Sequence, residues 1–219
     1  MTSHNPGSAI RRNYHALVRA DVLDLVPKNA GAVLDVGGGV GGSAAHLKSL
    51  GRASKAVVVD LVADSHLPEI DDAYSGSLEN SALLTRIRAD HGTFDTILCL
   101  DILEHLSEPW SVVDGLVAML APGGVIVASI PNVRNYRLLV PLVFRNRFDL
   151  AESGILDRTH LRWFVRDTAI GLFSGAGLDI EQVTEHFTGR RKRLFNVLTV
   201  GLFKSFLVIQ FFIRARRPS

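Results

Sequence analysis

The stretch LDVGGGVGG constrains the fold more than any other part of this 219-residue chain. Glycines that follow a buried strand let the backbone turn closely around a ligand and enter a helix. Gly37, Gly39 and Gly42 fit the G-x-G-x-x-G spacing of dinucleotide-binding folds. A second spacing, D-x-G-x-G-x-G, begins at Asp35 and ends at Gly41. The glycines therefore predict a cofactor-binding turn and leave the cofactor open.

Apolar runs alternate with helix-length segments along the chain, which is typical of a parallel sheet covered by helices on both faces. The predicted strands are 32–36, 55–60, 94–100, 124–130, 178–187 and 208–217, with a short strand near Ala73 and Tyr74. The predicted helices are about 10–26, 41–50, 78–89 and 109–120, with one more that ends at Gly175 or Gly177. The predicted fold class is α/β, a doubly wound and mostly parallel sheet in one domain spanning residues 1–219.

Charge and cysteine content narrow the class of protein. Residues 190–219 contain eight Lys or Arg and no acid, so residues 1–189 contain 16 basic and 22 acidic residues, a net charge of −6. An acidic body argues against nucleic acid as a partner. Cys99, the only cysteine, is expected to be a buried apolar side chain. The N-terminus lacks the apolar stretch of a secretory signal, so we expect a cytoplasmic protein.

The basic C-terminal segment, residues 190–219, contains an apolar run of nearly membrane-spanning length at 194–213. Lys204 near its middle disfavours a span, because a lysine at the bilayer centre costs about 3 kcal/mol. The favoured interpretation is a helix over 194–206 followed by a strand over 208–216. The two alternatives are peripheral contact of this segment with a membrane and a true membrane span.

Residues 132–166 interrupt the alternation of strands and helices. About 35 residues stand where a doubly wound fold commonly has a short connection. Long ordered insertions at the carboxyl edge of a sheet often carry function. We therefore predict that residues 132–166 form a lid over a substrate.

Several motifs together resemble those of the class I S-adenosylmethionine-dependent methyltransferases. VLDVGGGVG is similar to the first motif of that family, and Asp60 ends the next strand where the family has an acid. FDTILCLDILEHLSEP and MLAPGGVIVASIPN resemble the fourth-strand and fifth-strand blocks. HLRWF is similar to a subgroup that contains small-molecule, polysaccharide and ubiquinone-type O-methyltransferases. The resemblance implies a seven-stranded sheet whose last strand is antiparallel, consistent with VIQFFIRARR.

The resemblance also implies which residues bind S-adenosyl-L-methionine. Asp60 would accept hydrogen bonds from the ribose hydroxyls. Where the family often has an acid for the adenine amino group, this chain has Ser77, Leu78 and Glu79, so adenine contact would rest on backbone groups and Leu78. Asp101 would lie near the methionine part or else cap the helix after it. The full predicted set is Asp35, Gly37, Gly38, Gly39, Gly41, Asp60, Leu61, Leu78 and Asp101.

Two histidines are the candidate catalytic residues. A hydroxyl acceptor benefits from a general base with a pKa near neutrality, and His160 is preferred over His105. Asp157 could orient the His160 ring, and Arg158 with Arg162 could bind an acidic substrate. Alternatively, His160 fastens the insertion to the core and His105 caps a helix. The aromatic residues near these sites are expected to pack in the core or lid; they are Trp110, Phe148, Trp163 and Phe164.

No pair of acids or histidines has the spacing of a metal site on one element, so none is predicted. The expected function is methyl transfer from S-adenosylmethionine to a hydroxyl of a small molecule, a glycan or a lipid-linked sugar. A methyltransferase-like domain that only binds its ligand at a membrane surface is one alternative. An NAD-dependent oxidoreductase is the other.

Overall fold

Seven strands form one mixed sheet in the computed structural model, which describes residues 18–63, 66–187 and 198–219. The strand order is β3-β2-β1-β4-β5-β7-β6. β1 to β5 pair in parallel, and β7 is antiparallel to both β5 and β6. The predicted fold class is confirmed. The strands are Gly31–Val36 (β1), Ala53–Asp60 (β2), Asp72–Ser75 (β3), Phe94–Leu100 (β4), Leu120–Pro131 (β5), Asp179–His186 (β6) and Gln210–Arg216 (β7).

Helices connect the strands and cover the sheet. The predicted helices over 41–50 and 109–120 are confirmed within two residues. The helix predicted to begin at Leu78 begins at Ser81, because the Asn80 side chain caps it by accepting the Ala82 N–H at 3.1 Å. The helices are Ala20–Leu23 (α1), Gly42–Ser49 (α2), Ser81–His91 (α3), Pro109–Met119 (α4), Tyr136–Arg145 (α5), Arg166–Ser174 (α6) and Lys204–Leu207 (α7).

Two apolar clusters pack on the two faces of the sheet. Alternate residues of a strand point to opposite faces, so Leu34 and Val36 belong to one cluster and Val33 to the other. Helices α3, α4 and α6 contribute to the first cluster, while α1 and α2 contribute to the second. Cys99 is fully buried in the first cluster, as predicted, and burial raises the pKa of its thiol.

The predicted leading helix over 10–26 is wrong in the part that the structure describes. Only Ala20–Leu23 is helical, and residues 10–17 lie outside the described residues. After Leu23 the chain tightens into turns, in which the Leu25 and Val26 N–H groups donate to the Val22 and Leu23 carbonyls.

The predicted helix over 194–206 is not continuous where it can be compared with the structure. Residues 194–197 lie outside the described part, Leu198 is helical, and 199–203 form turns. Val200 and Gly201 both have positive φ, which breaks a right-handed helix, and the next helix is the short α7. In the described ranges, no helix combines the length and the apolar content needed to cross a membrane.

The insertion, residues 132–166, leaves the sheet at the end of β5 and returns to it. It contains α5, and the rest has little regular structure. Asn132 forms an isolated bridge with Phe164, and the Val133 N–H donates to the Phe164 carbonyl at 2.9 Å. Asn135 donates to the Val208 carbonyl at 2.8 Å. The insertion is therefore fixed to the sheet at both of its ends, beside the carboxyl ends of β4 and β5.

Candidate functional site

The glycine turn joins β1 to α2 at the carboxyl edge of the sheet. Gly37 has a φ of 69°, and a Cβ there would lie 2.5 Å from Cγ1 of Ile102. Gly41 has a φ of 84° and caps α2, and a Cβ there would lie 2.6 Å from Cδ1 of Ile70. Both the backbone conformation and the close neighbours therefore require glycine at these two positions.

Asp35 lies beneath the glycine turn. Its carboxylate accepts the Ala44 N–H at 3.3 Å, and a Cβ on Gly38 would lie 2.5 Å from its Cγ. Burial raises the pKa of Asp35 to about 7, and the Asp60 charge adds to the rise. Asp35 thus supports the turn from below, whereas the turn itself faces the cavity described next.

Asp60, at the end of β2, stands beside the turn. Its carboxylate accepts the Gly39 N–H at 2.9 Å and the Val62 N–H at 3.0 Å. These bonds fix the orientation of the carboxylate at the rim of a cavity. We call this the glycine-turn cavity; it is lined by Gly37, Asp60, Leu61, Gly76, Ser77, Leu78, Glu79, Ile102, His105 and Leu106.

Two apolar side chains and one acid form the outer wall of the glycine-turn cavity. Leu78 is buried, whereas Leu61 is 72% exposed. Glu79 is held by α4: it accepts hydrogen bonds from the Ser107 hydroxyl at 2.5 Å and the Glu108 N–H at 2.9 Å. These two bonds hold the pKa of Glu79 below its usual value. The Glu79 carboxylate therefore anchors the start of α4.

Asp101 begins the turn after β4 with a φ of 54°, which is unusual for a residue other than glycine. Its carboxylate accepts the Ser129 hydroxyl and the Gln210 amide, both at 2.7 Å, and pairs with Arg19. The residue that caps the following 3-10 turn is Ile102. The alternative of Asp101 as a helix cap is therefore wrong, because its side chain points to the sheet and to Arg19.

A second cavity lies next to the first, under the insertion. We call it the histidine cavity; it is lined by Asp101, Glu104, His105, Pro131, Gly154, Ile155, Asp157, His160, Ile209 and Gln210. His105 lines both cavities. The predicted residues are thus divided between two adjacent chambers, and one imidazole forms part of their common wall.

The two predicted histidines lie against each other although 55 positions separate them. Their ring centroids are 4.7 Å apart at an interplanar angle of 77°. His160 Nδ1 lies 3.1 Å from the Ile155 carbonyl, and His105 Nδ1 lies 3.2 Å from the Thr159 carbonyl. A carbonyl only accepts, so each Nδ1 carries the proton and each Nε2 keeps a lone pair. Burial, followed by the nearby His105, lowers the pKa of His160.

The role predicted for Asp157 is wrong. Asp157 does not orient His160; it accepts the N–H and the hydroxyl of Thr159, at 2.8 and 2.6 Å, while Ile155 holds the His160 ring. Arg158 pairs with Glu152. Arg162 pairs with Glu108 at 3.1 Å and donates to the Ser107 carbonyl. Both guanidinium groups form ion pairs within the protein, and their binding of an acidic substrate stays a prediction.

Glu104 was not singled out as a site residue by the sequence. It is 1% exposed, and no hydrogen-bond donor reaches either carboxylate oxygen from residues 18–63, 66–187 or 198–219. Burial raises the pKa of Glu104 to about 8. Ligand atoms of Glu104, His105 and His160 all lie within 4.8 Å of one another. The available signal for Glu104 was an acid between the apolar residues of DILEHL. The sequence could not show that His160, which belongs to the insertion, lies next to it.

The predicted packing aromatics lie outside the histidine cavity. Phe164 is buried in the core, and the rings of Phe148 and Trp163 pack edge to face at 5.5 Å. Trp110 is 50% exposed and lies under the Arg162 guanidinium, 5.6 Å from the ring centroid.

Comparisons with known proteins agree with this geometry. A family model described as a methyltransferase domain matches residues 10–183. The chain is 25% identical over 169 residues to the ubiquinone biosynthesis O-methyltransferase of Paraburkholderia xenovorans, with 71% of each protein covered. It is 29% identical over 123 residues to the protein of that name from Xanthomonas euvesicatoria, covering 54% of this chain and 52% of that one.

Solved structures have the same fold at low sequence identity. A SAM-dependent methyltransferase from Archaeoglobus fulgidus superposes with a TM-score of 0.64 at 16% identity, covering 94% of both chains. The N-methyltransferase NodS from Bradyrhizobium japonicum, in complex with S-adenosyl-L-homocysteine, has a TM-score of 0.54 at 15% identity, covering 95% of this chain and 87% of NodS. Given the matched family model, the sheet order and the glycine turn, the chain belongs to the methyltransferase-domain family and is a class I S-adenosylmethionine-dependent methyltransferase.

Proposed function

We propose that this enzyme transfers a methyl group from S-adenosylmethionine to a hydroxyl on a small molecule, a glycan or a lipid-linked sugar. One observation carries the proposal: the histidine cavity adjoins the glycine-turn cavity and contains two imidazoles whose Nε2 atoms keep lone pairs. A base that removes the hydroxyl proton makes the acceptor oxygen a better nucleophile for the methyl group. The printed names of the relatives, which are O-methyltransferases, support the same class of acceptor.

The glycine-turn cavity would hold the methyl donor. Gly37 lines this cavity, so its backbone would contact the amino-acid end of the donor. Asp60, fixed by two N–H groups, would accept hydrogen bonds from the ribose, and Leu61 and Leu78 would flank the adenine. Asp101 would lie near the methionine part. When bound, the donor supplies an electrophilic methyl group on a positively charged sulfur.

The histidine cavity would orient the acceptor and remove its proton. In the reaction an oxygen–methyl bond forms, the sulfur–methyl bond breaks, and the hydroxyl proton is released, with S-adenosylhomocysteine leaving as a neutral thioether. His160 and His105 are the proposed catalytic residues, because their Nε2 atoms are the available lone pairs. The insertion, residues 132–166, supplies His160 and would act as the lid that excludes water.

A calorimetric titration with S-adenosylhomocysteine tests the donor site. We expect micromolar binding by the native protein and a loss of at least about tenfold in affinity for Asp60→Ala, since both ribose hydrogen bonds disappear. The matched control is Asp114→Asn, an exposed acid of α4, which should bind as the native protein does. Unchanged affinity in Asp60→Ala would remove Asp60 from the donor site.

A second titration and a turnover assay test the acceptor site. His160→Ala should bind S-adenosylhomocysteine normally and transfer methyl groups to a catechol or sugar acceptor at least about a hundredfold more slowly. Full turnover by this variant would exclude His160 from the mechanism.

We also propose that the enzyme contacts a membrane surface through α5 as well as through the basic C-terminal segment. The membrane would then bring the acceptor to the enzyme. Val140, Val143 and Phe144 lie at i, i+3 and i+4 of α5 and are 43%, 67% and 80% exposed. Arg137 and Arg145 flank this face and are exposed. An exposed apolar strip with basic flanks suits an anionic lipid surface. The same surface would present an amphiphilic acceptor.

Vesicle flotation tests the lipid contact. The protein should float with phosphatidylcholine vesicles that contain about a third phosphatidylglycerol, and the double variant Val143→Asp, Phe144→Asp should stay in solution. Leu50→Asp is the control, because it changes an exposed leucine at the C-cap of α2, away from α5. Equal flotation of the native protein and the double variant would contradict contact through α5.

A further inference from the structure

Three side chains that can bind a metal ion converge in the histidine cavity. One ligand atom from each of Glu104, His105 and His160 lies within 4.8 Å of the other two, and His160 Nε2 is 3.9 Å from Glu104 Oε1. We propose that Glu104, His105 and His160 bind a divalent transition-metal ion, and that this ion binds the hydroxyl of the methyl acceptor. The binding of the ion stands on the geometry alone, whereas its role rests on the proposed function.

The backbone prepares both histidines to act as ligands through Nε2. The Ile155 carbonyl, 3.1 Å from His160 Nδ1, fixes the tautomer that leaves Nε2 unprotonated. The Thr159 carbonyl does the same for His105. The Thr159 hydroxyl donates to Asp157 at 2.6 Å and therefore offers its lone pairs to His105 Nδ1 at 3.0 Å. Metal-binding histidines are commonly held in this way by a carbonyl or a carboxylate on the second nitrogen.

Glu104 provides the independent observation that points to a cation. Its side chain is 2% exposed, His160 Nε2 is 3.9 Å from Oε1, and the part of the chain that the structure describes donates no hydrogen bond to the carboxylate. Arg19 acts on Glu104 through its charge, but its guanidinium pairs with Asp101. A buried carboxylate without a hydrogen-bond donor is costly in its ionised form, and a bound cation would stabilise that form.

The identity of the ligands selects the class of ion. Two imidazole nitrogens and one carboxylate oxygen suit Zn²⁺ and its transition-metal neighbours, whereas Mg²⁺ prefers oxygen ligands and water. Binding at about 2.1 Å requires the three ligand atoms to move together slightly. Three protein ligands would leave a coordination position for the acceptor. With the ion bound, both imidazoles would act as ligands and no longer as bases. An acceptor hydroxyl bound to the ion would have a lowered pKa and would release its proton to water before it attacks the methyl group.

Metal titrations of the full chain test the site without any assay of turnover. After removal of metal with a chelator, Zn²⁺ or Mn²⁺ should bind with a stoichiometry of one and raise the unfolding temperature by about 5–10 °C at a hundredfold excess over Kd. Glu104→Gln and His160→Asn should each lower the affinity at least about a hundredfold. His66→Ala, which removes an exposed histidine, should bind as the native protein does.

The outcomes separate this inference from the proposed function. If neither ion binds, or if Glu104→Gln and His160→Asn bind as well as the native protein, the inference is overturned. If Glu104→Gln fails to fold, the metal affinity of His160→Asn alone tests the inference. The proposed function fails separately, when S-adenosylhomocysteine does not bind or no hydroxyl is methylated. Chelator should abolish methyl transfer and leave S-adenosylhomocysteine binding unchanged.

Discussion

At the scale of single residues, two buried carboxylates differ in what surrounds them. Asp35 receives one backbone N–H from α2 and lies under the glycine turn. Glu104 receives no donor within the described residues and lies beside two imidazoles. An ionised carboxylate without full compensation destabilises the folded chain. Asp35 therefore supports a turn that lines one cavity, whereas Glu104 itself lines the other.

The pKa of Asp35 leads to a prediction about stability and pH. Its folded value of about 7 is above the ordinary value of 3.8, so the folded state binds more protons than the unfolded state between these pH values. Stability contributed by this group is therefore lost as the pH rises from about 4 to about 7. Asp35→Asn should remove this loss, worth up to about 4 kcal/mol at pH 8 relative to pH 4.

Denaturant unfolding of Asp35→Asn and the native protein at pH 4, 6 and 8 measures this effect. The difference in the free energy of unfolding should move in favour of Asp35→Asn as the pH rises. Asp114→Asn, which changes an exposed acid, is the control. A constant difference for Asp35→Asn would contradict the raised pKa.

At the scale of elements, two helices begin with the same cap in different surroundings. Asn80 caps α3 at an exposed position, and Asn135 caps α5 while fully buried. Asn135 also donates to the Val208 carbonyl at 2.8 Å, which ties the insertion to the C-terminal strand. Asn135 therefore links two distant parts of the chain in addition to capping α5.

Alanine substitution at the two caps separates these roles. Asn80→Ala should cost about 1 kcal/mol, the usual value of an N-cap. Asn135→Ala should cost about 2–3 kcal/mol, because the tie to Val208 is lost together with the cap. Chemical denaturation of the two variants gives both values. Equal losses would mean that the bond to Val208 contributes little.

The elements also show what the sequence could predict. β1, β2, β4 and β5 were predictable because buried parallel strands are continuous apolar runs. The helix over 194–206 was predicted wrongly, since an apolar run does not reveal a turn with positive φ at Val200 and Gly201. Glu104 beside His160 was not predictable, because their contact depends on how a 35-residue insertion folds back. Motif residues such as Asp60 were predictable because neighbouring strand ends share one edge.

At the scale of the whole molecule, the sheet depends on its C-terminal strand. β7 lies between β5 and β6 and pairs with each over its whole length, from Gln210 to Arg216. Deletion of residues 208–219 should therefore expose two strand edges and abolish cooperative unfolding, as followed by circular dichroism. Deletion of 218–219 alone should leave the transition within about 2 °C of the native one. A cooperative transition in the longer deletion would contradict the central place of β7.

The single imidazole of His105 stands between the glycine-turn cavity and the histidine cavity. Two occupants that contact the same ring cannot be accommodated independently, because any displacement of the ring by one occupant changes the space left for the other. Their affinities should consequently be linked, and linkage of this kind is reciprocal. Whatever the donor does to acceptor affinity, the acceptor should do to donor affinity by the same factor.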